Sequence, residues 1–443
     1  VRYPNGAPEI LAGNAISRRK DEGGVEMGKR VLLLGFILLV AFSTAFAADE
    51  IKIGSINDLT GATSDVGKDA ALGIKECVTY INDTGGINGK KIKLILYDYG
   101  YRVPEAITIY KRFRDYDKVK LLLQWGTGDT EALSPTVNKD KMVTISDSFS
   151  GHLCDPKKTP YNFIYATDYS TNARAALTAW YEKVWKKSDK WKAARDAAKK
   201  PKLVCFYMFA SPYASAPIKA IKDQAALLGI EVAKDQDVSL TALDAKSQVL
   251  TAKGDEATIC WHGNTTMSVA TTIKDAHALK LEADHIVNNW GFDQNLVRMT
   301  GKAGDGVIGA AACAFLGMNV PFMDKVLDYC KKVNPGVPVE KRDIRTVQAW
   351  LKVSMAVAGL KAADKKGKLD GPTIKGELES LKNWYAFDTN NALGVGPYTV
   401  TAEDHRPTGV ASLYYIKDGK IQLFEKIDMK KQFADKWQSW LGW

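Results

Sequence analysis

The sequence predicts an α/β protein made of two doubly wound parallel-sheet lobes. Short apolar runs alternate with segments whose apolar residues recur at helical spacing, and that rhythm is the mark of βαβ units with helices on both faces of a parallel sheet. There are too many such units for one sheet. Length and composition agree: 443 residues, 46% apolar and 25% charged, exclude collagen-like and disordered chains and suggest two or three domains. The 61 Lys+Arg and 51 Asp+Glu are well mixed. They form no dense basic stripe that would track a phosphate backbone, so no nucleic-acid partner is expected.

The elements follow in order. Ile51–Ile56 reads as a strand, and Ser64-Asp65 can cap a helix with Val66, Ala70, Ile74, Cys77, Val78 and Ile81 on one face, stopped by Gly85-Gly86. Strands are expected at 91–98, 119–125, 142–146, 203–207, 258–261 and 286–290. Helices are expected at 104–116, 130–138, 175–184, 216–228 and 267–279. After Phe315 two longer helical patterns appear, 322–332 and 345–363, and then a hairpin, 411–417 with 421–427, turning on Asp418-Gly419. In open α/β sheets ligands bind beyond the carboxyl ends of strands, where helix N-termini offer free N–H groups to an anion. The residues just after each strand are therefore the candidates.

Residues 1–47 stand apart. Met27-Gly-Lys29-Arg30, the apolar run Val31–Phe42 and Ala45-Phe46-Ala47 have the order of a secretory signal peptide cut after Ala47. The run is too short for a membrane span, which needs ~20 residues. Residues 1–26 fit no part of such a signal. They read as an over-extended reading frame, with translation starting at Met27. The mature chain keeps all six cysteines: Cys77, Cys154, Cys205, Cys260, Cys313 and Cys330. Export permits disulfides, but Cys205, Cys260 and Cys313 sit in apolar runs, so buried thiols are the simpler reading.

Familiar catalytic motifs fail on inspection. Gly126-Thr-Gly128-Asp-Thr-Glu131 follows a strand, but Glu131 stands where a dinucleotide site needs its third glycine. Gly61 to Gly67-Lys68-Asp69 has one residue too many for a P-loop and no hydroxyl after Lys68. His152-x-Cys154 and Cys260-x-His262 are two-ligand fragments without a second pair at zinc spacing. No metal, cofactor or catalytic residue is expected.

Ile51-Lys-Ile-Gly-Ser-Ile-Asn-Asp-Leu-Thr-Gly61, then Gly67, Gly73, Ile81-Asn82 and Gly85-Gly86-Ile87-Asn88-Gly89-Lys90-Lys91-Ile92, form a specific pattern. It resembles the start of the substrate-binding proteins of branched-chain amino-acid-type ABC transporters, the leucine/isoleucine/valine-binding protein family with the type I periplasmic binding fold. The resemblance continues through Tyr97-Asp98, Ile145-Ser146, Tyr213 and the C-terminal hairpin. It implies two lobes joined by a three-strand hinge: residues 49–168 with 318–404, and 169–317 with 405–443. It also implies a periplasmic monomer that closes on a small carboxylate ligand and serves an inner-membrane ABC permease. A ligand-sensing subunit of a signalling receptor is the alternative, and a nucleotide-using oxidoreductase a more distant one.

By the same resemblance, Gly126 and Thr127 hold the ligand carboxylate, Ser148 and Ser150 add hydroxyl and backbone contacts, and Tyr213 lies near a ligand ammonium. The acidic partner of that ammonium falls at Trp290, so a free amino acid would lack a charge partner unless Asp147 or Asp293 replaces it. The remaining expected cleft positions, Trp125, Phe149, Trp261, His262 and Trp290, are rings suited to a hydrophobic or aromatic carboxylate. Val66 removes a further wall that the family builds from Tyr or Trp. Two surface features remain. The basic stretch Lys186–Lys202 reads as a solvated helical face, and the tail with Trp437, Trp440 and Trp443 as a helix docked on a lobe.

Overall fold

A computed structural model describes residues 50–443. The readings made for residues 1–26 and 27–47 lie outside the described residues. The first sheet is five-stranded and parallel, in the order β2-β1-β3-β4-β5. Its strands are β1 Ile51–Asn57, β2 Ile92–Asp98, β3 Leu121–Gln124, β4 Thr144–Ser146 and β5 Asn162–Phe163. Helices α1 Ser64–Asp83, α2 Val103–Arg112 and α3 Thr127–Asp140 make its crossovers.

After helix α4, Tyr169–Trp180, the chain builds an eight-stranded second sheet in the order β13-β12-β11-β10-β9-β6-β7, with β8 beside β6. Its parallel strands are β6 Lys202–Tyr207, β7 Glu231–Val232, β8 Gln236–Asp237, β9 Ile259–His262, β10 Asp284–Val287 and β11 Ile308–Ala311. Helices α5 Ile218–Leu228, α6 Lys246–Gly254, α7 Thr266–Ala278 and α8 Gln294–Thr300 lie between them. The hairpin β12 Val410–Lys417 and β13 Lys420–Asp428 closes that sheet antiparallel. Asp418 and Gly419 both take positive φ (51° and 69°), the left-handed pair that a two-residue hairpin turn demands.

Between β11 and β12 come α9 Met323–Val333, α10 Ile344–Lys365 and α11 Gly371–Glu379. Both α9 and α10 pack on α1, so this segment returns to the first sheet. Gly73 makes the approach possible: a Cβ there would lie 2.8 Å from the Thr346 carbonyl oxygen and 2.9 Å from the Ala349 Cβ. Arg342 ties the helices together, with its guanidinium on Asp69 and, at 2.8 Å, on Glu76.

The α/β alternation is as the sequence predicts, with three informative differences. Helix α3 begins at Thr127, three residues before the apolar pattern does, because Gly126 supplies the extended backbone that starts it. Strand β10 stops at Val287, where the Asn288 side chain accepts from the Asn289 N–H at 2.9 Å and turns 288–291 into a 3-10 turn. Strand β11 is unanticipated. It is made of Ile308-Gly-Ala-Ala311, with Gly309 kept bare because the Phe292 ring lies against it. All six cysteines are buried as free thiols.

Candidate functional site

The carboxyl ends of both sheets face one another, and a small cavity of about 20 Å³ lies between them, room for about one water. A larger cavity of about 570 Å³ lies elsewhere, beside Thr167, Ala311, Tyr398 and Arg406. We place the candidate site at the smaller one, because strand ends, a helix N-terminus and buried hydroxyls converge there.

One side of this site is the start of α3. Gly126 precedes the helix with no side chain capping its first turn, and Thr127 is its first residue. The Thr127 hydroxyl shares a 2.7 Å hydrogen bond with that of Ser148, joining the loops after β3 and β4. Gly126 admits no side chain: a Cβ would lie 2.3 Å from Asp129 Oδ1 and 2.6 Å from the Tyr99 hydroxyl. Tyr99 donates to Asp129 Oδ1 at 2.8 Å. Burial raises the Asp129 carboxyl to about 7, opposed by the Tyr99 bond. Its negative charge is therefore weakened near neutrality, beside a helix start that favours anions.

Beneath both loops sits Lys352 of α10, fully buried. Its ammonium donates to the Gln124 carbonyl at 2.6 Å and to Asp147 Oδ2 at 2.7 Å. Tyr165 donates to Asp147 Oδ1 at 2.5 Å. Burial lowers the Lys352 pKa, and Asp147 opposes that shift. The pair fixes the ends of β3 and β4 and leaves no net charge under the cavity.

The walls are aromatic. Trp125 and Trp290 meet at 5.1 Å between ring centroids, and Phe149 stacks on Trp290 at 5.8 Å. The indole N–H groups are directed inward: Trp125 donates to the Thr63 hydroxyl at 2.9 Å and Trp290 to the Tyr169 hydroxyl at 2.8 Å. Asp58 holds Thr63 in turn through its backbone N–H and its hydroxyl, at 2.7 and 2.8 Å. Tyr169 packs edge-on to Tyr213, whose hydroxyl donates to the Asn264 carbonyl at 3.3 Å. The Thr265 hydroxyl, at the start of α7, lines the cavity and finds no partner among the described residues.

Polar contacts tie the lobes together around this core. Arg345, on α10, donates to the Asn289 carbonyl at 3.0 Å and to Asp293 Oδ2 at 3.2 Å, with its guanidinium 4.7 Å from the Trp290 ring centroid. Both charges are completely buried. Asp65, at the start of α1, accepts from the Met267 N–H of α7 at 3.4 Å, and burial raises its carboxyl to about 6.

The structure brings Trp125, Gly126, Thr127, Tyr213 and Trp290 to the cavity wall. Ser148 and Phe149 stand directly behind, on Thr127 and Trp290. Ser150 is buried away from the cavity and opens the turn 151–154. Trp261 and His262 do not reach it, because β9 runs through His262 and keeps both inside the second sheet. His262 Nε2 lies 2.9 Å from His285 Nδ1, and burial lowers both imidazoles, His285 to about 4. Asp147 also lines the cavity, with one carboxylate oxygen on Lys352 and the other on Tyr165, while Asp293 lies outside the lining and is paired with Arg345. Val66 does line the cavity, together with Thr63, Tyr101, Tyr169 and Thr265, which sequence reasoning missed. Tyr101 was reachable by the strand-end rule, lying three residues past β2. Tyr169 was not, since it enters from the crossover between the lobes.

Two lobes thus meet with their strand ends around a buried, hydroxyl-rich pocket. The sequence pattern of the periplasmic binding protein family matches residues 50–420, and the chain belongs to that family. An amino acid binding protein of Pseudomonas aeruginosa is 34% identical over 90 residues, 20% of this chain and 24% of that protein. The Leu/Ile/Val-binding protein of Escherichia coli is 25% identical over 150 residues, 34% of this chain and 33% of that protein. The chain thus matches about a quarter to a third of the length of these curated relatives. The fold is similar to the crystal structure of an ABC transporter substrate-binding protein from Aeropyrum pernix, with TM-score 0.78 and 26% identity over 88% of this chain and 99% of that one.

Proposed function

We propose that this chain is the periplasmic solute-capturing component of an ABC importer, and that its ligand is a small hydrophobic or aromatic carboxylate. The observation that carries the reading is the pairing of polar groups around the cavity. Hydroxyls of Thr127 and Thr265 and the uncapped start of α3 are disposed to receive an anion. The carboxylates Asp147 and Asp293 are already committed to Lys352 and Arg345. An ammonium entering here would have to compete with Lys352 for Asp147 at the cavity wall, after being stripped of water, which is costly. Trp125, Trp290, Tyr169 and Tyr213 supply flat apolar area for the rest of the ligand. Capture requires only opening and reclosing of the lobes.

The test begins with a thermal-shift screen of aromatic acids, short fatty acids and amino acids. Thr127→Ala should then weaken the tightest carboxylate by about 1–3 kcal/mol, the range for a lost hydrogen bond to a charged group. Calorimetry showing unchanged affinity would remove Thr127, and with it the helix start, from the carboxylate site.

A further inference from the structure

We propose that the base of the second lobe is a docking face for an anionic lipid surface. Residues 181–202 hold nine Lys/Arg and three Asp/Glu, an excess of six charges in a chain whose net charge is +10. This stretch is a folded plate. It runs through the turns Tyr181–Trp185 and Asp189–Trp191 and the short helix Lys192–Asp196. Asp284 clamps it, accepting from Trp180 Nε1 at 2.8 Å, Trp191 Nε1 at 2.7 Å and Lys190 Nζ at 2.7 Å. Arg195 closes it by donating to the carbonyls of Trp185 and Ser188, at 2.5 and 2.9 Å. Trp185 and Trp191 are thereby buried, and the lysines are left outside.

Several of these charges are already neutralised: Lys186 by Glu182, Lys192 by Asp196, Lys183 by Glu425 and Lys190 by Asp284. Lys187, Lys199 and Lys200 are exposed and have no ion-pair partner among the described residues. Lys199 and Lys200 border a groove of about 440 Å³ with Lys202, Lys253 and Lys280. Glu231, Glu256 and Glu282 also border it, so the groove itself is basic by two charges. The face lies where β6, β9 and β10 begin, and the ligand cavity lies where they end. A surface bound here leaves the cleft open.

The residue types favour lipid over protein. Protein interfaces are anchored by aromatic or apolar side chains and are depleted in Lys. No large apolar side chain of 181–202 is among the exposed ones, and eight of its nine cations are Lys. Diffuse point charges without an anchor suit a sheet of anionic headgroups, where each basic residue is worth roughly fivefold in affinity.

The test is cosedimentation of the mature chain with phosphatidylcholine vesicles, with and without roughly 30% phosphatidylglycerol, in low and high salt. The expected result is binding to the anionic vesicles alone, lost in high salt. Lys187→Glu, Lys199→Glu and Lys200→Glu together should reduce it by at least roughly tenfold, and the same three changed to Gln by less. The ligand-induced thermal shift should be unchanged in both variants, which reads the pocket separately and reports folding. Equal binding to both vesicle types, no binding in low salt, or undiminished binding by the Glu variant would overturn the proposal. So would retention on an acidic polypeptide without retention on vesicles.

Discussion

Lys352→Met is expected to destabilise the folded chain by about 3–5 kcal/mol, the usual consequence of breaking a buried ion pair from one side. Methionine has nearly the volume of the lysine stem, so packing is preserved and the loss isolates the charge. Without the ammonium, the Asp147 carboxylate keeps only the Tyr165 hydroxyl, and the Gln124 carbonyl loses its 2.6 Å donor. Both groups are buried and do not regain bulk solvent. Urea unfolding at pH 7 measures the difference. The double variant Lys352→Met with Asp147→Leu should lie closer to the parent than the single one does, because two apolar groups leave no orphaned charge. A single variant within about 1 kcal/mol of the parent would show that the pair does not hold the two ligand loops.

The second large effect concerns closure. Arg345 stands on the helix packed against the first sheet, and Asp293 and the Asn289 carbonyl belong to the second. The bridge therefore forms across the cleft, with no exposure of either charge. Arg345→Met leaves Asp293 buried with only the Thr266 hydroxyl and the Leu296 N–H, both on its own lobe. Opening the lobes would let that carboxylate hydrate, so the penalty of about 3 kcal/mol falls mainly on the closed form. Ligand affinity should drop roughly a hundredfold, with a smaller change in unfolding midpoint. Small-angle scattering at saturating ligand should show a less compact particle than the parent. If the unfolding midpoint falls and affinity does not, the bridge is a folding element and not a closure contact.

The fold was largely legible because βαβ rhythm is written locally, in apolar runs and Gly stops such as Gly85-Gly86. The residues that line the candidate cavity were legible in part, where a strand end meets a helix start. Gly126, Thr127 and Trp290 were singled out through the family resemblance, and Trp125 as a ring at a strand end; all four lie at the cavity wall. Trp261 and His262 were misplaced by a shift of two or three residues. The strand continues through them, and Gly263 to Thr265 make the turn instead. The cations were illegible for another reason: Lys352 meets Asp147 across 205 residues of chain, and Arg345 meets Asp293 across 52. One signal did exist. Arg345 and Lys352 lie seven apart, on one face of a helix whose first half is buried all round. Two cations on such a face need buried anionic partners.

The central claim is that the pocket recognises a carboxylate and has no place for an ammonium. Calorimetric titration at one pH with a matched set (an aromatic acid, its primary amide, 4-methylpentanoate and leucine) tests it most directly. The account predicts that the acid binds at least roughly tenfold tighter than its amide, and that 4-methylpentanoate binds tighter than leucine. An amide that binds as well as its acid, or leucine as the tightest of the set, would contradict it.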